Sequence, residues 1–240
     1  MENQPQEMID LYSREKQANK AYELTKDRKV LIAGCGNVGS VLATILAESG
    51  IKQMVLIDMD DFSYTENRQL YSTEANMGKN KALATAQGVS ERAQCLATPY
   101  KGDAIKIISD GIFDVKGYDI FLCVDSVDAR KKIFDAAVKM AGGRNYLGII
   151  LDVGVQDNTI QVVNYGTKTP HDLYFDEGQA HCVTYPLASF RAFMAASLMV
   201  GAYFSIFENQ GGQDPPFLKP DKALQFYTNS MTNMENPVFG

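Results

Sequence analysis

The apolar run Val30-Leu31-Ile32-Ala33 passes without a spacer into Gly34-Cys35-Gly36-Asn37-Val38-Gly39, and this junction restricts the fold more than any other stretch. A short apolar run that ends in G-x-G-x-x-G and continues as an amphipathic stretch is a buried strand turning sharply into a helix. The first glycine permits the turn, the second lets a phosphate or ribose approach the backbone, and the third lets helix and strand pack closely. Free N–H groups at the helix start attract negative charge. The default ligand is a nucleotide. A second apolar run, Met54 to Ile57, ends in Asp58, where a carboxylate can accept hydrogen bonds from ribose hydroxyls. With a helix expected over Val38 to Ser49, the two strands form one βαβ unit whose crossover should be right-handed. Taken alone, these signals suit a nicotinamide dehydrogenase equally well.

The next two dozen residues do not suit one. Asp60, Asn67, Arg68, Gln69, Lys79 and Lys81 follow in quick succession, a density of phosphate-capable groups that hydride transfer does not need and phosphate chemistry does. The expected ligand is a triphosphate.

Downstream the α/β alternation continues. Lys79 to Ala93 reads as a helix with Ala82, Leu83, Ala86 and Val89 inward, followed by a strand near Gln94 to Tyr100 and a helix around Ala104 to Asp110. The apolar strand Asp119 to Val124 comes next, then a helix to Met140. Such a pattern implies a mostly parallel, Rossmann-like sheet with helices on both faces. Asp125 closes the 119–124 strand, at the sheet end where ligands bind. It could bind a magnesium ion between phosphates, or it could simply cap the helix that follows. Tyr146 to Val153 and Thr159 to Asn164 read as strands joined by a turn over Gly154 to Asn158. Residues 187 to 207 are a long apolar helix for the core or a subunit interface. The last 30 residues, with Gly211, Gly212, Pro215, Pro216 and Pro220, read as a tail with little regular structure. Residues 5 to 26 carry apolar positions at roughly helical spacing. Arg14 among them reads, on composition alone, as a solvated charge.

The 240 residues are 45% hydrophobic with a net charge of −6, enough for a sizeable core and without the basic footprint of general nucleic-acid binding. The polar, acidic N-terminus and the expectation that no run approaches the ~20 apolar residues of a membrane span give a soluble, cytoplasmic protein with no membrane partner. Cys35, Cys95, Cys123 and Cys182 form no C-x-x-C pair, which argues against a four-cysteine zinc site. Cys35 and Cys123 read as small core residues, and His171 and His181 as loop histidines.

In order and register these motifs resemble the ThiF/MoeB superfamily of adenylyltransferases, which includes the adenylation domain of ubiquitin-activating enzymes. The resemblance runs from about Tyr12 to Phe207. It rests on the glycine turn, on Asp58-Met59-Asp60, Asn67-Arg68-Gln69 and Gly78-Lys79-Asn80-Lys81, and on Asp125-Ser126-Val127-Asp128-Ala129-Arg130. Thr65 and Ser126 stand where the family often has asparagine. Upstream, Leu11-Tyr12-Ser13-Arg14-Glu15 is similar to the family's Arg-Tyr-x-Arg-Gln.

What the resemblance implies is an enzyme that uses ATP and Mg2+ to adenylate the C-terminal carboxylate of a ubiquitin-like carrier protein ending in glycine, or of a peptide, working as a homodimer. ATP would lie against Gly34, Gly36, Asn37, Gly39, Asp58, Asp60, Asn67, Gln69 and Ser126. Asp58 would bind the ribose, Arg68, Gln69 and Lys81 the phosphates, Asp125 the magnesium, and Arg14 the outer phosphates of the other subunit. Cys182 is a candidate for thioester or persulfide transfer, or a spectator loop thiol. The implied organisation is one domain: an N-terminal helical arm (1–27), a nucleotide-binding core (28–165), a crossover loop (166–186), the apolar helix (187–210) and the tail (211–240). The alternatives are a nucleotide-binding scaffold of the same fold without turnover, and adenylation of a tRNA-nucleoside carboxylate.

Overall fold

A computed structural model describes residues 12–64, 69–156, 159–166, 189–208 and 219–227. The chain opens with two short helices, α1 (Ser13–Ala18) and α2 (Tyr22–Thr25). The helical spacing expected over residues 5 to 26 breaks at Asn19, whose side-chain oxygen accepts the Ala21 N–H. That local bond competes with helix continuation.

From there the alternation is β1 (Lys29–Ala33), α3 (Asn37–Glu48), β2 (Gln53–Asp58), α4 (Lys81–Arg92), β3 (Leu96–Lys101), α5 (Ala104–Ser109), β4 (Tyr118–Leu122), α6 (Val127–Ala141), β5 (Ile150–Gln156), β6 (Thr159–Asn164), α7 (Ser189–Glu208) and β7 (Lys222–Tyr227). The sheet order is β3-β2-β1-β4-β5-β6-β7. The five strands β3, β2, β1, β4 and β5 run parallel; β6 pairs antiparallel with β5, and β7 antiparallel with β6.

Alternation along β1 explains the two layers. Val30 and Ile32 face a core shared with α3, α4 and α7, while Leu31 and Ala33 face one shared with α5 and α6. Parallel strands covered on both faces read as unbroken apolar runs, which is why K-V-L-I-A is so uniform.

Leu83, expected inward on α4, is instead half exposed, and three further segments depart from the sequence reading. The strand expected from Tyr146 begins only at Ile150, because residues 144–146 form a 3₁₀ turn. Gly148 lies against Asp119 there: a Cβ on it would fall 2.0 Å from the Asp119 carboxylate. Gly154 to Gln156 belong to β5 and pair with β6 in register down to Gln156 opposite Thr159. The remaining two positions of the expected turn, Asp157 and Asn158, lie outside the described residues. The third departure is β7, a regular strand inside the expected tail, paired to β6 from Lys222 opposite Asn164 to Tyr227 opposite Thr159.

By length and composition Phe190–Glu208 would suffice to cross a membrane, which the sequence reading did not recognise. Here the helix packs on the sheet, with Ala195, Ala196, Met199, Ala202 and Tyr203 fully buried. The Tyr203 hydroxyl donates to Asp119 at 2.7 Å. Asp119 lies fully buried at the start of β4, bonded also by the Arg28 guanidinium and by the Ile149 N–H. Burial first, then the Asp119 charge, push the Tyr203 hydroxyl well up, so it stays a donor. Tyr203→Phe removes one bond to a buried charge. The expected cost is about 1.5–3 kcal/mol, seen as a lower denaturant midpoint; an unchanged midpoint would show the cluster is over-satisfied.

Candidate functional site

Strand β1 pairs with β2 on one side and β4 on the other, all three parallel, so the chain reverses direction across the sheet between β1 and β4. Outside the carboxyl ends of strands at such a switch point lies the usual ligand crevice of an open α/β sheet. The glycine turn and Asp125 both sit at that edge.

Gly34 adopts φ +94° and donates its N–H to the Ile57 carbonyl at 2.8 Å. A Cβ on Gly39 would fall 1.9 Å from the Gly34 carbonyl oxygen, so the turn closes only around glycine. A Cβ on Gly36 would meet nothing within 4 Å. The close-packing glycine and the open glycine are therefore distinct positions. Gly36 is also the residue at the cap of α3 and has no side chain to bond the first-turn N–H groups, the kind of helix start that can receive an anion. Asn37, half-buried, opens the helix.

Asp58 ties β2 to this turn. One carboxylate oxygen accepts the Cys35 N–H at 2.6 Å and the other the Asp60 N–H at 2.8 Å. Burial raises its carboxyl above the ordinary value, opposed by those N–H bonds and by the Lys81 charge. Lys81 approaches from α4: its side chain is almost wholly buried and its Nζ stands 3.6 Å from the Asp60 carboxylate. The buried Cys35 thiol, pushed well up by burial and by Asp58, is pulled back by Lys81, so the ammonium lies within electrostatic reach of the glycine turn.

Sequence reasoning overlooked the residue that builds this corner. Asn80 donates through its amide to the Asp58 and Asp60 carbonyls at 3.0 and 2.8 Å, and its oxygen caps α4 by accepting the Ala82 and Leu83 N–H groups. An asparagine directly before a helical period was the available signal. Tyr71 left no such signal. Its hydroxyl meets Thr44 at 2.8 Å, and its ring fills the space over Gly88, where a Cβ would fall 2.1 Å from it. That contact seats the segment carrying Gln69, whose N–H donates to the Ser72 hydroxyl.

On the other side of the crevice, Cys123 and Val124 follow β4, with the Cys123 carbonyl against Gly34. Asp125 comes next and is exposed. It does not cap α6: Ser126 does, accepting the Ala129 N–H at 3.1 Å. The turn therefore does not spend the Asp125 carboxylate as a cap. Gly34, Gly36, Asn37, Gly39, Asp58, Asp60, Asp125 and Ser126 thus follow or close the parallel strands β1, β2 and β4 at one end of the sheet, and Lys81 reaches Asp60 there. Asn67, Arg68 and Cys182 lie outside the described residues, as do His171 and His181. Arg14 stands in α1, and its side chain lies outside them too.

Residues 10–173 match the model of the ThiF family. The chain belongs to the ThiF family. Among its relatives is the zebrafish (Danio rerio) adenylyltransferase and sulfurtransferase MOCS3, 36% identical over 119 residues, 45% of this chain and 24% of that protein. Another is the NEDD8-activating enzyme E1 catalytic subunit of Caenorhabditis elegans, 32% identical over 130 residues, 51% of this chain and 30% of that protein. The chain thus spans under a third of the length of either. E. coli MccB, solved with ATP, has the same fold at a TM-score of 0.69 with 18% identity, over 93% of this ThiF chain and 69% of MccB.

Proposed function

We propose that this ThiF-family chain is a cytoplasmic enzyme that adenylates the C-terminal carboxylate of a ubiquitin-like protein or peptide at the expense of ATP. The observation that carries the reading is that a glycine-cornered helix start, a buried lysine paired with Asp60 just after β2 and an exposed carboxylate after β4 all lie at the carboxyl ends of the parallel strands β1, β2 and β4. Relatives bearing the names adenylyltransferase and NEDD8-activating enzyme support it.

The residues suit ATP. The N–H groups at the start of α3 and the open space over Gly36 suit a phosphate, and Asp58 keeps lone pairs for ribose hydroxyls. Among the described residues no three His, Cys, Asp or Glu side chains cluster tightly enough to hold a metal. A magnesium ion would therefore be held by Asp125 together with phosphate oxygens, the usual manner for that ion. Bound there, it would neutralise phosphate charge.

In the reaction a carboxylate oxygen of the carrier attacks the α-phosphorus, and the bond to pyrophosphate breaks, the electron pair leaving with pyrophosphate. The nucleophile is already ionised, so no general base is required, and the protein's work is alignment and charge neutralisation. Lys81 and Arg68 supply positive charge to the phosphates, and Asp58 fixes the ribose. Arg14 would act on the partner's phosphates in a homodimer. The test is ATP–pyrophosphate exchange in the presence of candidate carriers, small proteins ending in glycine beside tRNA. Exchange that depends on a small protein supports the reading. Thermal stabilisation by ATP without exchange would favour a scaffold, and exchange with tRNA alone a different carboxylate.

Asp58 adds a pH dependence. A carboxyl that holds its proton more tightly folded than unfolded stabilises the fold below the unfolded pKa and loses that contribution as pH rises through the folded value. Acid therefore does not unfold the protein through Asp58, but it does remove the ribose acceptor. The rise in Tm on adding ATP should shrink on acidification before the ordinary carboxylate range of about 3.9 is reached. In Asp58→Asn that rise should be small and flat; a wild type equally flat would contradict the assignment.

A further inference from the structure

Behind the Asp125 turn runs a buried polar chain that the reaction described above does not use. Arg130, nearly buried on the first turns of α6, donates its Nε–H to the Val124 carbonyl at 2.8 Å, bridging back across the turn that carries Asp125. Its Nη1 stands 3.2 Å from Asp152 Oδ1. Asp152 is fully buried in β5, one strand over from β4, and its other oxygen accepts the Tyr165 hydroxyl at 2.9 Å. Tyr165 follows β6 and is fully buried too. Its N–H donates to the Ile150 carbonyl, and its ring lies edge-on to Phe134 of α6 at 5.8 Å.

The turn after β4, the start of α6, β5 and the end of β6 thus meet in one line, two hydrogen bonds with an ion pair between them, whose outer end is the peptide before Asp125. A buried ion pair is a poor device for stability, since desolvating two charges offsets most of their attraction, and an apolar pair of similar volume often does as well. It is a good device for fixing distance, because the planar guanidinium presents its donors in a rigid fork. Here one branch of the fork holds the turn and another holds the sheet.

We propose that Arg130 is a positioning residue for Asp125: anchored by Asp152 and Tyr165, it sets the pose in which the Asp125 carboxylate takes a divalent cation alongside ATP. This rests on the reading of the crevice as an ATP site. Outer partners of this kind typically change metal affinity by about 10–100-fold when removed.

The experiment titrates MgCl2 into the full chain at fixed ATP and follows Tm, beside ATP affinity measured in EDTA. The variants are Arg130→Met with Asp152→Leu, an apolar replacement of the pair, and Tyr165→Phe. In the double variant the half-saturating Mg2+ should rise about tenfold or more, with ATP affinity in EDTA within about threefold of wild type. Replacing Arg130 and Asp152 together leaves no unpaired buried charge, so the free protein should still fold, with its Tm lowered only by the bonds that the Tyr165 hydroxyl and the Val124 carbonyl lose, while the Mg2+ requirement rises. Tyr165→Phe, which keeps the ion pair, should shift Mg2+ in the same direction by a smaller factor, and it carries the test if the double variant does not fold. A wild-type Mg2+ requirement in whichever folded variant is measured overturns the proposal and leaves the ATP site standing. A wild type that gives no Mg2+-dependent response to ATP overturns the ATP reading, and this proposal with it.

Discussion

Lys81→Ala should lower carrier-dependent ATP–pyrophosphate exchange by on the order of 10²-fold or more, the scale on which preorganised charge acts at a reacting group. The size follows from where the lysine sits. Its side chain is almost wholly buried, held by α4 through the Asn80 cap, with Nζ 3.6 Å from Asp60. A charge kept in a fixed place with little water around it acts on phosphate far more strongly than a mobile surface lysine. Stability should move less than activity: Asp60, largely exposed, regains water, while the buried Asp58 carboxyl loses the Lys81 charge that opposes its upward shift. Lys81→Met keeps most of the aliphatic stem and should lose as much activity. Exchange retained in both variants, with normal Tm, would show that Lys81 only fills the corner between α4 and β2.

The second large effect separates two glycines three residues apart. Gly39→Ala places a methyl group 1.9 Å from the Gly34 carbonyl oxygen, a contact that backbone cannot relieve without opening the β1–α3 packing. Overpacking at a rigid contact costs about 1–3 kcal/mol or more, so Tm should fall and the yield of folded protein with it. Gly36→Ala meets nothing within 4 Å, and its backbone, at φ −74° and ψ −151°, is open to any residue. The fold should therefore be unaffected. Its methyl group projects where a nucleotide would come closest to the chain, so the Tm rise produced by ATP should be largely lost. Equal loss of stability in both variants would mean that Gly36, like Gly39, serves only the turn.

The parts of this architecture that are legible in sequence are those set by neighbours along the chain. The glycine turn, Asp58 at the end of β2 and Asp125 at the end of β4 each follow an unbroken apolar run, and a parallel strand covered on both faces writes that run plainly. What escaped is set by contacts across the chain. Strand β7 hides in K-A-L-Q-F-Y behind Pro215, Pro216 and Pro220, and only its pairing with β6 makes it a strand. The break between α1 and α2 depends on one asparagine side chain reaching two residues forward. The seat of Tyr71 over Gly88, and the line from Tyr165 through Asp152 to Arg130, join residues 13 to 22 positions apart with no spacing rule to announce them. Asn80 lay between, readable as a helix cap but not as the clamp on Asp58 and Asp60.

The central claim is that the crevice between β1 and β4 grips a triphosphate rather than a redox dinucleotide. Calorimetric titration of the wild-type chain with ATP and MgCl2, and in parallel with NADH, addresses it most directly. Saturable binding of ATP that is strongly weakened by both Lys81→Ala and Asp125→Ala, with no binding of NADH, is the result this account requires. Tight binding of NADH, or ATP binding untouched by either substitution, would contradict it.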